Sequence, residues 1–426
     1  MTGPHPSARA ARDSAGLLAG TLVNGLFAYV FFAMATRGLG AAEAAPVAVL
    51  WTYWGVATAV ITFPVQHWII RTMRASGAAT VGESLPRMVR SVAAFAVAGV
   101  AVTWLVDEQL FGVAGPVFPA LVGLVTLGSF FTGVVRGGLA GRERFTATAL
   151  ALAADNVVRV VLAAAVLALG GGATGLGVVL VAGALIGLAW PQGYRFGPRN
   201  DAEHPVSSLA FLGAIAAGSL LGQLVLIGGP AVLALMGGAP RDVTMLFATL
   251  AFFRAPYLLA VGVANRVTGT LTDWMSSGGV RQLHRFQVVV VVLTAAGAAA
   301  AAALGFAAGP RMVGLVFGAD TVPPAGVAAL VAGGSVVAVG NLAMSLLLIA
   351  QGRGGRLTRA WVVSVLAVAV VLPATRGMAP VASVTWAFVA GQIVAFLALQ
   401  IDGWRGSRDP RPMTQPPGTL PLGSPS

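Results

Sequence analysis

Apolar stretches of 18 or more residues recur along this chain from end to end. In a bilayer no water reaches the backbone, so every spanning segment must satisfy its own N–H and C=O groups as a helix or within a closed barrel. These runs are continuous and do not alternate, which selects helices. The fold class is therefore all-α, a polytopic membrane protein. Composition agrees: 57% of the residues are hydrophobic and 9% charged, where a soluble domain carries about 25% charged residues. The absence of cysteine excludes disulfides and thiolate metal sites.

The apolar pattern predicts about twelve transmembrane helices, near 15–36, 45–69, 88–106, 115–135, 147–170, 173–190, 207–235, 243–265, 286–308, 324–350, 358–374 and 380–401. The first run is too long for a signal-peptide core and reads as a retained span. Runs 1, 2, 7 and 10 exceed one bilayer thickness, which implies tilt or bending. Pro64, Pro230 and Pro256 are the expected kink sites. Trp51, Trp54 and Trp68 fit an aromatic belt at the membrane surface.

Every basic residue is arginine. With the N-terminus on the cytoplasmic side, the inner loops take Arg9, Arg12, Arg71, Arg74, Arg87, Arg90, Arg136, Arg142, Arg144 and most of the later arginines. The outer loops take only Arg37, Arg241, Arg311 and Arg376. That bias places both termini in the cytoplasm. It accounts for the net charge of +12 without nucleic acid. Attraction to anionic membrane lipids is a secondary consequence.

The chain also repeats itself. Ala19-Gly20-Thr21-Leu22 recurs as Ala217-Gly218-Ser219-Leu220, an offset of 198 that also brings Leu39-Gly40-Ala41 onto Gly237-Gly238-Ala239 and His67 onto Asn265. Gly141-Arg142 has a counterpart in Gly352-Arg353. An even number of spans per repeat makes the two halves parallel, related by an axis along the membrane normal. The expected organisation is a cytoplasmic segment over 1–14, an N-lobe over 15–193, a linker over 194–206, a C-lobe over 207–402 and a disordered cytoplasmic tail over 403–426.

Charged residues inside spans are costly, so each one is a functional candidate. On span 5, Thr148, Asp155, Asn156 and Arg159 share one helical face, and Asp155 precedes Arg159 by the four residues that favour an ion pair. The face reads either as a self-neutralised structural pair or as the wall of a central cavity. On span 8, Arg254 has no acidic neighbour on its own helix, and Arg254, Tyr257, Val261 and Asn265 form one stripe. Asp155 is the one buried acid expected to be available to it. Arg159 and Arg254 thus put one guanidinium in each lobe at similar depth, and a planar fork of donors suits phosphate oxygens. Asn24, Gln223, Asn341 and Gln392 read chiefly as hydrogen-bonding glue between helices. Asn24 and Asn156 also join the candidate substrate contacts. The sequence carries no nucleotide-binding loop, no metal-ligand spacing and no catalytic motif, so the expectation is no enzyme, no catalytic residue, no metal site and no cofactor.

Four short motifs carry a family resemblance. Ala35-Thr36-Arg37-Gly38-Leu39-Gly40 closes span 1. Arg136-Gly137-Gly138-Leu139-Ala140-Gly141-Arg142-Glu143-Arg144-Phe145 links spans 4 and 5. Val316-Phe317-Gly318-Ala319-Asp320 precedes span 10, and Ala350-Gln351-Gly352-Arg353 links spans 10 and 11. In order and placement they resemble the oligosaccharide/polysaccharide flippases of the multidrug/oligosaccharidyl-lipid/polysaccharide exporter superfamily. The resemblance implies two six-helix lobes around a V-shaped central cavity with alternating access. It implies a polyprenyl-diphosphate-linked oligosaccharide as substrate, moved from the inner to the outer leaflet of a bacterial plasma membrane. Polysaccharide polymerase and glycosyltransferases are the implied partners.

On this reading Arg254 and Arg159 hold the lipid diphosphate, with Asp155, Asn156, Tyr257 and Asn24 beside them. Asp155 tunes Arg159 or couples to a cation, Na+ or H+. Two alternatives stand: a multidrug/cation antiporter on the same fold, which needs Asp155 as its titrating carboxylate, and a non-transporting scaffold of a polysaccharide synthesis complex.

Overall fold

The computed structural model describes residues 6–196, 220–277, 279–351 and 353–408, apart from the side chains of 6–19, 21, 75, 262–266, 268–269, 272, 276, 354 and 406–408. The described residues contain helices and turns and no strand. Among the described residues, nine helices are long and apolar enough to cross a membrane, and a bent pair makes a tenth. The chain is a multi-pass membrane protein.

The first half builds one helical group. Helix α1 (Pro6–Leu39) packs along α7 (Phe145–Ala168). The second span is α2 (Ala45–Ala57), a π-helical turn over Thr58–Thr62, and α3 (Phe63–Ser76). Next come α4 (Ala78–Leu105), the short α5 (Asp107–Phe111) and α6 (Val117–Gly141). Helix α6 is the inner helix of the group, touching α2, α3, α4 and α8 (Ala173–Leu185). In the second half, helical residues 220–227 lead into α9 (Gly229–Leu235). Helices α10 (Pro240–Phe253) and α11 (Ala255–Ser276) form the bent pair, at 47°. Then follow α12 (Val280–Phe317), α13 (Ala325–Ala350), α14 (Gly354–Ala374) and α15 (Pro380–Arg408). The last four pack mainly against one another, with α13 as the inner helix.

Each predicted kink proline opens a new helical segment. Pro64 begins α3 after the π turn, Pro230 begins α9, and Pro256 begins α11 after the break at Arg254. Proline lacks the N–H that would bond the preceding turn and fits best in the first turn of a helix.

Several boundaries differ from the sequence reading. Helix α1 starts at Pro6, inside the expected terminal segment, because Ala and Arg over 8–12 are strong helix formers. Helix α15 runs to Arg408, beyond the expected end at 402; Gly403 is buried there, against Gln287 and Met344. The sixth span is short: α8 has 13 residues and passes into 3-10 turns over Ile186–Ala189 and Pro191–Tyr194. The linker lies outside the described residues beyond 196, as does the first part of span 7, residues 207–219, including Ala217-Gly218-Ser219. Trp51 and Trp68 are buried in the core and not at the surface belt.

Two local features recur in the halves, one and two residues out of the register that the sequence repeat sets. Gly40 after α1 and Gly237 after α9 each close a turn, with φ of 81° and 77°, a left-handed backbone that glycine adopts freely. After α6 the N–H of Arg144 donates to Leu139 O at 3.0 Å, and after α13 the N–H of Arg353 donates to Leu348 O at 2.9 Å. Both bonds span five residues, the mark of a Schellman cap.

The resolved hydrogen bonds and ring contacts between the two groups cluster at one end of the bundle, where α1 ends and α12 ends. The Tyr29 hydroxyl donates to Ala251 O at 2.6 Å. Phe32 packs against Phe247 and Phe317, with ring centroids 4.3 Å and 5.6 Å away. Arg37 donates through Nε to Val316 O at 3.1 Å and through Nη2 to Leu315 O.

Candidate functional site

The face of α7 predicted from residue spacing is buried as a unit: Thr148, Asp155, Asn156 and Arg159 are each less than 7% exposed. Arg159 is fully buried and bound on every side. Its Nη2 lies 2.9 Å from Asp155, Nη1 donates to Asn156 Oδ1 at 2.7 Å, and Nε donates to Leu180 O on α8 at 3.0 Å. Its guanidinium carbon sits 4.7 Å above the Trp54 ring, a cation–π contact reaching in from α2. Asn156 in turn donates to Asn24 Oδ1 and Asn24 O, both at 2.9 Å, tying α7 to α1.

Asp155 has a second cation. Arg136 Nη2 lies 3.3 Å from Asp155 Oδ2, and its side chain is 7% exposed. The sequence reading put Arg136 in the cytoplasmic link between spans 4 and 5, the Gly- and Arg-rich knot over 136–145. That is corrected here for the first half of the link: α6 continues to Gly141, so Arg136 is helical and its glycines serve close packing, while Arg142–Arg144 form the turn into α7. A Cβ on Gly138 would overlap the backbone carbonyl of Gly193, and one on Gly137 would press on Ile69 and Gln66. A void of about 10 Å³ lies beside Arg136 and Asp155, lined also by Thr132, Ala151 and Gly183. That is the size of about one water molecule.

The pairing corrects two further expectations. Arg159, read as half of a diphosphate clamp, is enclosed by the N-terminal group and paired with Asp155 there, so of the two readings of this face the self-neutralised pair is the one observed. Asp155 is also not the single buried acid: Asp402 on α15 is 1% exposed, bonded to Arg359 Nη2 and 3.8 Å from Arg356 Nη1.

Arg254 stands apart. It occupies the break between α10 and α11, not the middle of a continuous span. Its N–H still closes the last turn of α10, at 3.0 Å from Leu250 O. Its side chain is partly buried, and its buried Nε has no hydrogen-bond partner among the described residues. The ionisable side chains facing it are Tyr29 from α1 and Tyr257 from the next turn of α11. Gln223, expected only as glue, faces the Tyr257 hydroxyl. Tyr29 donates to Ala251 O one turn before Arg254, so the arginine lies at the seam between the two groups. Val261 is exposed, and the side chain of Asn265 lies outside the described residues, so the predicted stripe is followed only as far as Val261.

Of the six predicted contact residues, the structure brings Asn24, Asp155, Asn156 and Arg159 together inside the first group. It sets Arg254 and Tyr257 at the seam. Sequence reasoning missed Arg136 as a partner of Asp155, Trp54 as the platform under Arg159, and Tyr29 beside Arg254. The remaining glue pair is observed directly: Asn341 Nδ2 donates to Gln392 Oε1 at 2.8 Å, joining α13 to α15.

The whole fold has close structural counterparts. An inward-facing multidrug resistance MATE family transporter of the MOP superfamily superposes with a TM-score of 0.68, over 93% of this chain and 98% of its own, at 14% identity. An outward-facing multidrug resistance MATE family transporter of that superfamily gives 0.61 at 16% identity, over 93% and 95%. The lipid II flippase MurJ, inward closed, gives 0.64 at 13% identity, over 92% and 87%. These likenesses establish the fold. No family model matches the sequence, and no curated protein matches it.

Proposed function

We propose that this chain is an alternating-access transporter that flips a polyprenyl-diphosphate-linked oligosaccharide from the inner to the outer leaflet of a bacterial plasma membrane. Both termini are cytoplasmic, and the product feeds cell-surface polysaccharide synthesis. The observation that carries the reading is Arg254: a guanidinium at the seam, in a broken helix, with Nε unpartnered and, among the described residues, two tyrosines as its ionisable neighbours. A partly buried cation with no carboxylate partner among the described residues is costly, and an anionic ligand relieves that cost. A diphosphate offers the acceptor oxygens that a guanidinium fork binds best. Tyr257 and Tyr29 stand beside the proposed phosphate position. Asp155, Asn156, Arg159 and Asn24 support this site from within the N-terminal group, and touch no ligand directly in the closed-end state described.

The antiporter alternative draws on the same fold, which MATE transporters share. It requires a carboxylate free to exchange a cation, Na+ or H+. Asp155 is held by two guanidinia, so a cation would have to displace a fixed positive charge to bind there. The diphosphate reading therefore takes precedence, and polysaccharide polymerase and glycosyltransferases are its functional partners. The test is deletion of the gene followed by mass spectrometry of lipid extracts, with complementation by the parent and by Arg254→Ala. Accumulated polyprenyl-diphosphate oligosaccharide, cleared by the parent and not by Arg254→Ala, is expected. Clearance by Arg254→Ala at the parent rate would overturn the assignment.

A further inference from the structure

We infer that Arg37 is a latch that holds the two helical groups together at the closed end, and that opening of this end requires Arg37 to let go. Its position follows from two helix termini. Arg37 sits in the last turn of α1. The opposing helix α12 ends at Phe317, and the last carbonyls of any helix lack partners within it. The N–H of Gly318 satisfies Gly314 O at 2.9 Å. Arg37 bonds Leu315 O and Val316 O, the next two carbonyls, with one guanidinium. A cation at the negative end of a helix dipole adds to both hydrogen bonds.

The surroundings brace the latch. Arg241 Nε donates to Asp320 O at 3.1 Å and so fixes the turn over Ala319–Thr321 that follows α12. A Cβ on Gly318 would lie 3.5 Å from Arg37 Cγ, and one on Gly40 would lie 3.8 Å from Asp320 Oδ2. Two motifs that are remote in sequence, 35–40 and 316–320, are therefore one contact in space. On the other rim, the equivalent approach of the α9–α10 turn to the α5–α6 turn is apolar: Pro240 Cγ lies 3.9 Å from a Cβ on Gly112. Of these two rims, the one at Arg37 is closed by a charged clamp. Behind it, Phe32, Phe247 and Phe317 fill the seam. The latch thus seals an apolar plug that must part before the end can open.

This inference rests on the alternating-access reading for the meaning of opening, but its test needs no substrate. The chain has no cysteine, so Gln109→Cys and Gly377→Cys can carry a pair of spin labels across the rim. Both positions are exposed, one on each group. Distance distributions are measured on full-length protein in lipid nanodiscs. The parent should give mainly the short distance. Arg37→Met should raise the long-distance fraction by roughly two- to fivefold, the scale of losing solvent-exposed charged hydrogen bonds. Arg37→Lys, which keeps the charge but not the fork, should fall between. Arg37→Gln serves as a second neutral variant if the Met form misfolds. Parent-like distributions in the neutral variants would overturn the latch. That result would leave the Arg254 assignment standing, because lipid accumulation is read separately.

Discussion

Arg136 reaches Asp155 from a neighbouring helix at 3.3 Å, so one carboxylate is shared between two buried guanidinia nineteen residues and four residues away along the chain. Charges this deep are stable only as a set. Removing one member of a buried pair leaves its partner uncompensated and costs about 3–5 kcal/mol. Asp155→Asn should therefore lower the thermal unfolding temperature in detergent sharply, together with any loss of transport. An unchanged melting temperature with loss of cation-dependent transport would instead assign Asp155 to ion coupling and revive the antiporter.

The stacking of Arg159 on Trp54 gives a second expectation. A desolvated cation–π contact contributes about 2 kcal/mol. Trp54→Leu should reduce stability by that order, and Trp54→Phe by less, since Phe keeps an aromatic face. Chemical denaturation in mixed micelles measures both. Equal losses from Leu and Phe would mean that the ring acts through volume alone.

The class of the fold was legible in the apolar runs, and the ion pair on α7 was legible in the four-residue spacing of Asp155 and Arg159. Arg136 was not, because a glycine cluster after an apolar run reads as a turn. Here the glycines bring helix surfaces together, and only the partner surfaces around Gln66 and Gly193, distant in sequence, reveal it. For the same reason Trp68 reads as a surface-belt residue until α3 and its neighbours bury it. The break at Arg254 was half visible: Pro256 announced a disruption, but the meeting of α1 with α10 through Tyr29 is a tertiary fact. Nothing in the order of residues says that 37 meets 316.

Gly138 offers a direct check of the corrected knot. A methyl group there would overlap the Gly193 carbonyl, which is backbone and cannot rotate away. Overpacking a tight core costs about 1–3 kcal/mol. Gly138→Ala should lower yield and melting temperature, whereas Gly355→Ala, with nothing within 4 Å of the added carbon, should not. Equal tolerance at both positions would restore the loop reading of the knot.

The last expectation separates charge from shape at Arg254. If the guanidinium binds a diphosphate through two parallel donors, lysine keeps the attraction and loses the fork. A hydrogen bond to a charged group is worth about 1.5–3 kcal/mol, or roughly 10- to 100-fold in affinity. Arg254→Lys should therefore raise the apparent KM for flipping of a polyprenyl-diphosphate lipid in proteoliposomes by that order, with a smaller effect on the maximal rate. Arg254→Gln should abolish measurable flipping, and added inorganic pyrophosphate should inhibit the parent more strongly than the Lys form. Were Lys and Gln to behave alike, charge would be irrelevant and the fork alone, or packing around Tyr257, would carry the site. If both variants flip normally, the diphosphate must be held elsewhere at the seam.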